Sequence, residues 1–286
     1  MANTQALRRR IRSVKSTEQI TKAMKMVAAA RLRRAQTRIL EARPYATSLE
    51  NVLRSVAARV GGRRHPLLEV REERRATLVV ITSDRGLCGS FNANVLREAT
   101  RWLASGRWEQ VDLVLVGRKG VDFFKHRGVT PLAAPADLLA NPSPASAFAL
   151  GEMLANRYAK GETDAVYVLS NRFRSVIQQA VVLARLLPIE REQLAGATPV
   201  GYLCEPAPAV LLDQLLPRYV EVEVLRALLS SVAAEHGARM TAMGAATKNA
   251  AEMIEKLTLT YNRVRQAAIT KELIEIVSGA QALAEG

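Results

Sequence analysis

The stretch whose residue types could do chemistry is Ser83–Asn92, SDRGLCGSFN. It follows a Val/Ile-rich run, holds Gly86 and Gly89, and opens a helical pattern. Backbone N–H groups in such a geometry can cradle a phosphate. The same residues also fit a tight strand-to-helix turn, with the glycines permitting close packing and Asp84 and Arg85 acting as local salt partners. Two glycines alone are a weak phosphate signal. Cys88 is a nucleophile in principle, but no His or acid is placed in sequence to activate it, so a buried structural thiol is the plainer reading. The sequence contains no GxxxxGK[ST], GxGxxG, GxSxG or HExxH pattern, and His65, His126 and His236 stand far apart without other ligand-type residues at useful spacing. Catalytic residues, a cofactor and a metal site are therefore not expected. A nucleotide-dependent enzyme built around Ser83–Asn92 remains the rival reading for this stretch.

The elements that must hold this turn are short strands alternating with helices. TLVVITS (77–83), VDLVLVG (111–117) and AVYVLS (165–170) have the Val/Ile richness of buried parallel strands, and QQAVVLARLLP (178–188) adds a further strand. Helical stretches fall near 91–103, 118–126 and 147–160, while 131–144 carries four prolines and reads as loop.

On either side the pattern is helical. Alternate steps of four and three from Leu7 to Val60 meet apolar residues at 13 of 16 positions, a strict heptad that points to a coiled coil. The failures lie between Glu18 and Lys25. There Ile20, Met24 and Val27 sit one step away, either as a stutter or as a face turned to another partner. Pro44 should kink or break this helix at a cost of about 3 kcal/mol unless its surroundings compensate. The C-terminal helix has a seam at Met243, Thr247, Ala250, Ile254, Leu257, Tyr261, Val264 and Ala268, flanked by alanines that allow close helix approach. Gly237 and Gly244 weaken that helix by about 1 kcal/mol each unless packing compensates.

These patterns give an α/β chain in which a long antiparallel coiled coil of the terminal helices carries an inserted Rossmann-like α/β domain. The expected division is 1–64 for the N-terminal helix, 65–210 for the α/β domain and 211–286 for the C-terminal helix. At about 1.5 Å per residue the second helix outreaches the first. Its overhang holds Leu273, Ile274, Ile276 and Val277, an apolar cluster without an internal partner, which implies an external hydrophobic socket.

Charge narrows the partners. Lys plus Arg number 41 against 27 Asp plus Glu, net +14. Residues 1–64 alone hold 16 basic against 3 acidic residues. Such a segment fits nucleic acid, an anionic membrane or an acidic protein surface. Aromatics are 5% of the chain, which supplies stacking on single-stranded nucleic acid poorly, although a nucleic-acid-binding protein with a basic coiled-coil arm is the alternative function. Two cysteines, Cys88 and Cys204, are too few for a disulfide scaffold and fit a reducing compartment. Neither a signal-type apolar run nor a stretch of about 18 apolar residues is found, so a soluble chain without its own membrane anchor is expected.

Four segments, in order, carry a family resemblance: RRRIRSVKSTEQITKAMKMVAAARLRRA (8–35), SDRGLCGSFN (83–92), ARMTAMGAATKNA (238–250) and YNRVRQAAITKELIEIVSGA (261–280). Together they resemble the gamma subunit of rotary proton-translocating ATP synthases. The resemblance implies a non-catalytic rotor shaft inside a ring of three alpha and three beta subunits. Its α/β domain would meet the epsilon subunit and the membrane c ring, peripheral to the cytoplasmic face of the cell membrane in a bacterial-type enzyme. It implies contacts with the beta subunits at Met24, Arg239, Gln266 and Thr270, and a hydrophobic sleeve around Leu273 to Val277, including Ile276. Arg8, Arg9, Arg10, Lys22, Lys25, Arg31, Arg33 and Arg34 would face acidic segments of the beta subunits. The extra cysteine pair of thiol-regulated chloroplast members is absent.

Overall fold

A computed structural model describes residues 2–60, 64–139, 142–190 and 204–284. The chain forms two compact units, one from 1–27 and 240–286, the other from 28–239. Two helices run through both: α1 (Ala2–Arg59) and the last helix, α5 (Pro208–Ala284).

In the larger unit the elements between them are β1 (Arg75–Ile81), α2 (Phe91–Ala104), β2 (Gln110–Val116), α3 (Arg118–Lys125), α4 (Pro144–Ala159), β3 (Ala165–Phe173) and β4 (Gln179–Leu187). The sheet order is β2-β1-β3-β4. β1 is parallel to β2 and β3, and β4 closes an antiparallel hairpin on β3. The hydrophobic run of β1 is buried from Ala76 onward because both sheet faces are covered, as parallel strands require. Leu78, Val80, Leu113, Leu115 and Leu169 form one core with Val95, Ala99 and Trp102 of α2 and Phe124 of α3.

α4 begins at Pro144, inside the expected loop. Proline suits the first helical position, and Ser143 caps the helix by accepting from Ser146 N at 3.2 Å. The rest of that loop has a job too. Ala133 bridges Val114 in parallel, and Leu115 N donates to Ala133 O at 2.9 Å, so the outer edge of β2 is covered. β1 ends two residues earlier than its apolar run suggests, since Thr82 turns its hydroxyl to the carbonyls of Val116 and Gly117.

α1 corrects one expectation. It runs unbroken through Pro44. The carbonyl that loses its N–H donor belongs to Leu40, which is exposed, and water can replace the missing partner there.

The seam of α1 also keeps its register. In the smaller unit Leu7, Ile11, Val14 and Glu18 are half-buried and Thr21 is buried, and in the larger unit Ala28, Leu32 and Ala35 continue the row. Thr247 Oγ1 donates to Thr21 Oγ1 at 2.9 Å, so two threonines fill a seam position that apolar counting scores as a failure. At Lys25, which is exposed, the half-buried Met24 takes the seam place one step earlier. Ile20 and Val27 instead point outward, 57% and 53% exposed. The pairing is antiparallel, because Thr21 meets Thr247 while Lys25, further along α1, meets Gly244, earlier in α5. Each named seam residue of α5 from Met243 to Ala268 is buried or half-buried, and residues 269–280 are exposed.

Close packing compensates Gly237, where an added Cβ would meet Phe173 and Gln179 side chains at 3.4 Å. α4 crosses α5 closely: a Cβ on Gly151 would sit 2.7 Å from Glu221 Cα. That backbone cannot yield cheaply. Gly151→Ala is expected to lower stability by about 1–3 kcal/mol, by overpacking, despite alanine's better helix propensity. Gly244→Ala, whose Cβ would meet Lys25 methylenes no closer than 3.7 Å, is expected to raise it by up to about 1 kcal/mol. Denaturant unfolding of the two variants, read by far-ultraviolet circular dichroism, checks the opposite signs.

Candidate functional site

The turn between β1 and α2 is filled by its own side chains. Ser83 N donates to Asn92 Oδ1 at 2.9 Å, Asn92 Nδ2 donates to Ser83 Oγ at 2.7 Å, and Ser83 Oγ donates to Arg85 O at 2.7 Å. Asp84 does not form the anticipated salt pair with Arg85; its Oδ1 accepts from Arg118 N at 3.0 Å. A phosphate would have to displace Asn92 and approach Asp84. Cys88 is buried against Phe91 and Ala234, and burial pushes its thiol up from the ordinary range, away from nucleophilic use. The tight-turn reading fits this geometry.

The histidines serve local ends. His65 Nδ1 accepts from Leu67 N at 3.1 Å as a cap. His126 lies against the Asp122 carbonyl, and His236 against Arg239. Among the described residues no three His, Cys, Asp or Glu side chains lie together as a metal would need.

The charged and apolar residues expected to meet partners are mostly exposed. Arg8, Arg9, Arg10, Lys22 and Lys25 are exposed on α1 in the smaller unit, with Met24 half-buried among them. Gln266 and Thr270 are exposed on α5 of the same unit. Beyond the seam Leu273 and Ile276 are 57% and 68% exposed, with Ile274 and Val277 also open. In the larger unit Arg31, Arg33 and Arg34 are exposed as well.

Arg239 stands apart. It is 9% exposed, pairs with Glu235 at 2.8 Å, and its Nη2 donates to the carbonyls of Arg85 and Gly86, each at 3.2 Å. Its hydrogen bonds are spent inside the larger unit. The sequence carried a signal for this in EHGAR, where a glutamate and an arginine at i,i+4 sit among small apolar residues, as a buried pair requires. Leu87 is the other residue that pattern reading missed: it is exposed and holds φ +62°, a left-handed conformation rare for its type.

Electrostatics around Arg239 follow from burial. Glu235 is pushed up by desolvation, which Arg239 opposes. Desolvation, then the positive charges of Arg239 and Arg31, push His236 down to about 4. A neutral imidazole is what the contact needs, since Nδ1 must accept from Arg239 Nη1 at 3.4 Å.

An inserted α/β domain on an antiparallel pair of terminal helices, with exposed charged and apolar faces, is the architecture of a stalk-type subunit. A family model described as ATP synthase matches residues 3–283. ATP synthase gamma chains from Geobacter metallireducens and Solibacter usitatus are 50% and 53% identical, covering 99% and 96% of this chain and 99% and 97% of their own. That of an Anaeromyxobacter species is 52% identical over 99% of this chain and all of its own length. The chain belongs to the ATP synthase gamma chain family. Among solved structures, a central-stalk chain with the c ring from the Tetrahymena thermophila mitochondrial ATP synthase is 27% identical with a TM-score of 0.62, covering 79% of this chain and 99% of that one. A rotor chain from the Euglena gracilis enzyme shares the fold at 18% identity, with a TM-score of 0.67 over 94% of this chain and 99% of its own.

The lowered pKa of His236 has a stability consequence. The unfolded imidazole binds a proton near pH 6.5 and the folded one only near 4, so the unfolded state gains protons in between. Stability should be full above about pH 6.5 and fall as the pH drops toward 4. Glu235 opposes this trend, because its raised pKa favours the folded state on acidification. The difference between the native chain and His236→Gln isolates the histidine. The variant is expected to lose less stability between pH 7 and 5, as measured by urea midpoints.

Proposed function

We propose that this chain is the non-catalytic rotor shaft of a proton-translocating ATP synthase, acting at the cytoplasmic face of the cell membrane. Its partners would be the alpha and beta subunits of the catalytic ring, the epsilon subunit and the c ring. The observation that carries the reading is the end of α5, where Leu273, Ile274, Ile276 and Val277 lie beyond the seam and are more than half exposed. An apolar helix end of this kind needs a socket that the chain does not supply. The beta subunits would be met at Met24, Lys25, Gln266 and Thr270 and by the basic row from Arg8 to Arg10, and Arg239 would act on that interface from within.

Rotation becomes useful only if the shaft is unlike on its different sides. In the smaller unit α1 carries seven basic residues from Arg8 to Lys25 against Glu18 alone, whereas α5 from Met240 to Ala284 carries five basic and four acidic residues. Turning such a helix pair inside a near-threefold ring changes which beta subunit faces the cationic side. Each orientation then favours a different nucleotide-site conformation through differential contact energy. Proton flow through the c ring would supply torque, and ATP hydrolysis would drive the reverse rotation. No bond is made or broken on this chain.

The similar proteins give the nucleic-acid reading no support. The shaft reading is tested on the purified chain and on the reconstituted complex. The chain alone is expected to hydrolyse no ATP, with activity appearing only with alpha and beta subunits. Arg8, Arg9 and Arg10 replaced together by Glu should weaken coupled pumping in a salt-dependent way while leaving the larger unit folded. Hydrolysis by the isolated chain that is abolished by Asp84→Ala would sink the reading, and coupling indifferent to the charge reversal at low and moderate salt would sink the assigned role of the basic row.

A further inference from the structure

One buried side chain ties the turn after β1 to α5. The guanidinium of Arg239 has Glu235 and His236 on Nη1, and it places Nη2 between the consecutive carbonyls of Arg85 and Gly86. Those carbonyls belong to a loop under strain. Leu87 holds φ +62° with its side chain 63% exposed, and Gly89 follows at φ +58°. A branched residue in the left-handed region persists only when its surroundings over-determine it. Here they do: Asp84 is fixed by Arg118 N, Arg85 O also accepts from Ser83 Oγ, and Asn92 closes the inner side. The outer side of the loop, with Arg85 and Leu87, is left open.

We propose that Arg239, oriented by Glu235 and His236, is a positioning residue that locks loop Asp84–Gly89 onto α5 and so presents Leu87 and Arg85 outward in one fixed geometry. A planar fork spans two successive carbonyls while a third donor direction holds the carboxylate; a lysine ammonium has neither the planarity nor the reach. The neutral imidazole sets the fork's rotation by accepting one Nη1 hydrogen. Because loop and helix are then one body at this point, a force on the outer face of the loop passes to α5 without first deforming the turn. This consequence rests on the shaft reading, in which surrounding subunits press on that face.

Hydrogen exchange on the full-length chain tests the lock without any partner. Ser83 N and Phe91 N are the reporters, since they donate within the loop to Asn92 Oδ1 and Cys88 O. In Arg239→Lys their exchange should rise by about tenfold, while amides in the middle of β1 stay unchanged. His236→Leu should show the same selective rise, and His236→Gln, which restores a neutral acceptor, should stay close to the native rate. A rise shared equally by loop and sheet, an unchanged loop in Arg239→Lys, or equal rates in the Leu and Gln variants would overturn the lock. In the reconstituted complex Arg239→Lys should assemble but pump fewer protons per ATP. Normal pumping with a loosened loop would overturn the presenting role while leaving the shaft reading intact.

Discussion

The narrow seam between the two terminal helices is the constraint from which the surface follows. In the smaller unit that seam is a single row, with Thr21 against Thr247 and alanines and half-buried aliphatics along it. A two-helix unit can bury only the stripe each helix turns to the other, so every other residue must face outward. Exposed Ile20, Val27, Leu259 and Ile269 are the consequence, not a packing failure. A chain that buried these residues in a third helix would be more stable alone and would have no faces left for partners.

Within the larger unit α5 has to serve a second purpose, as a layer against the α/β elements. The devices used there are close packing and hydrogen bonds. Gly151 lets α4 reach the backbone of α5, Ser230 Oγ accepts from Phe173 N at 3.0 Å, and Arg239 reaches the loop after β1. Each fixes an α/β element on the helix at one place. Buried ion pairs are weak evidence for stability. The Glu235–Arg239 pair is better understood through what its guanidinium holds than through its own Coulomb energy.

Much of this was legible in the residues. Short Val/Ile-rich runs against a seven-residue period separated the α/β insertion from the helices, and the usual nucleotide and metal motifs are missing from the sequence. Three features were not legible, each for a physical reason. The seam between Glu18 and Lys25 looked broken because apolar counting cannot see that two threonines satisfy one another across it. Pro44 looked like a break because a propensity scale cannot tell an exposed carbonyl, which water rescues, from a buried one. Arg239 looked like a surface contact because charge at a helix position says nothing about which carbonyls lie opposite until the β1–α2 turn is folded against it. The resemblance pointed to the same arginine but could not say that its donors are used internally.

The basic row on α1 shows most directly that the chain is shaped for something outside itself. Arg8 and Arg12, Lys22 and Lys25, and Arg31 and Arg34 are like-charge neighbours at helix spacings of three or four, each disfavouring the helix by about 0.2–0.5 kcal/mol. An ion pair within α1, Glu50 with Arg54, lies far from this row along the sequence. A helix selected for its own stability would alternate charge, as α5 does with Lys248 and Glu252 and with Lys271 and Glu275. Retaining the repulsion makes sense when an acidic surface is met in the assembled state, where each cation gains a counter-charge in partly excluded solvent and the same charges steer docking.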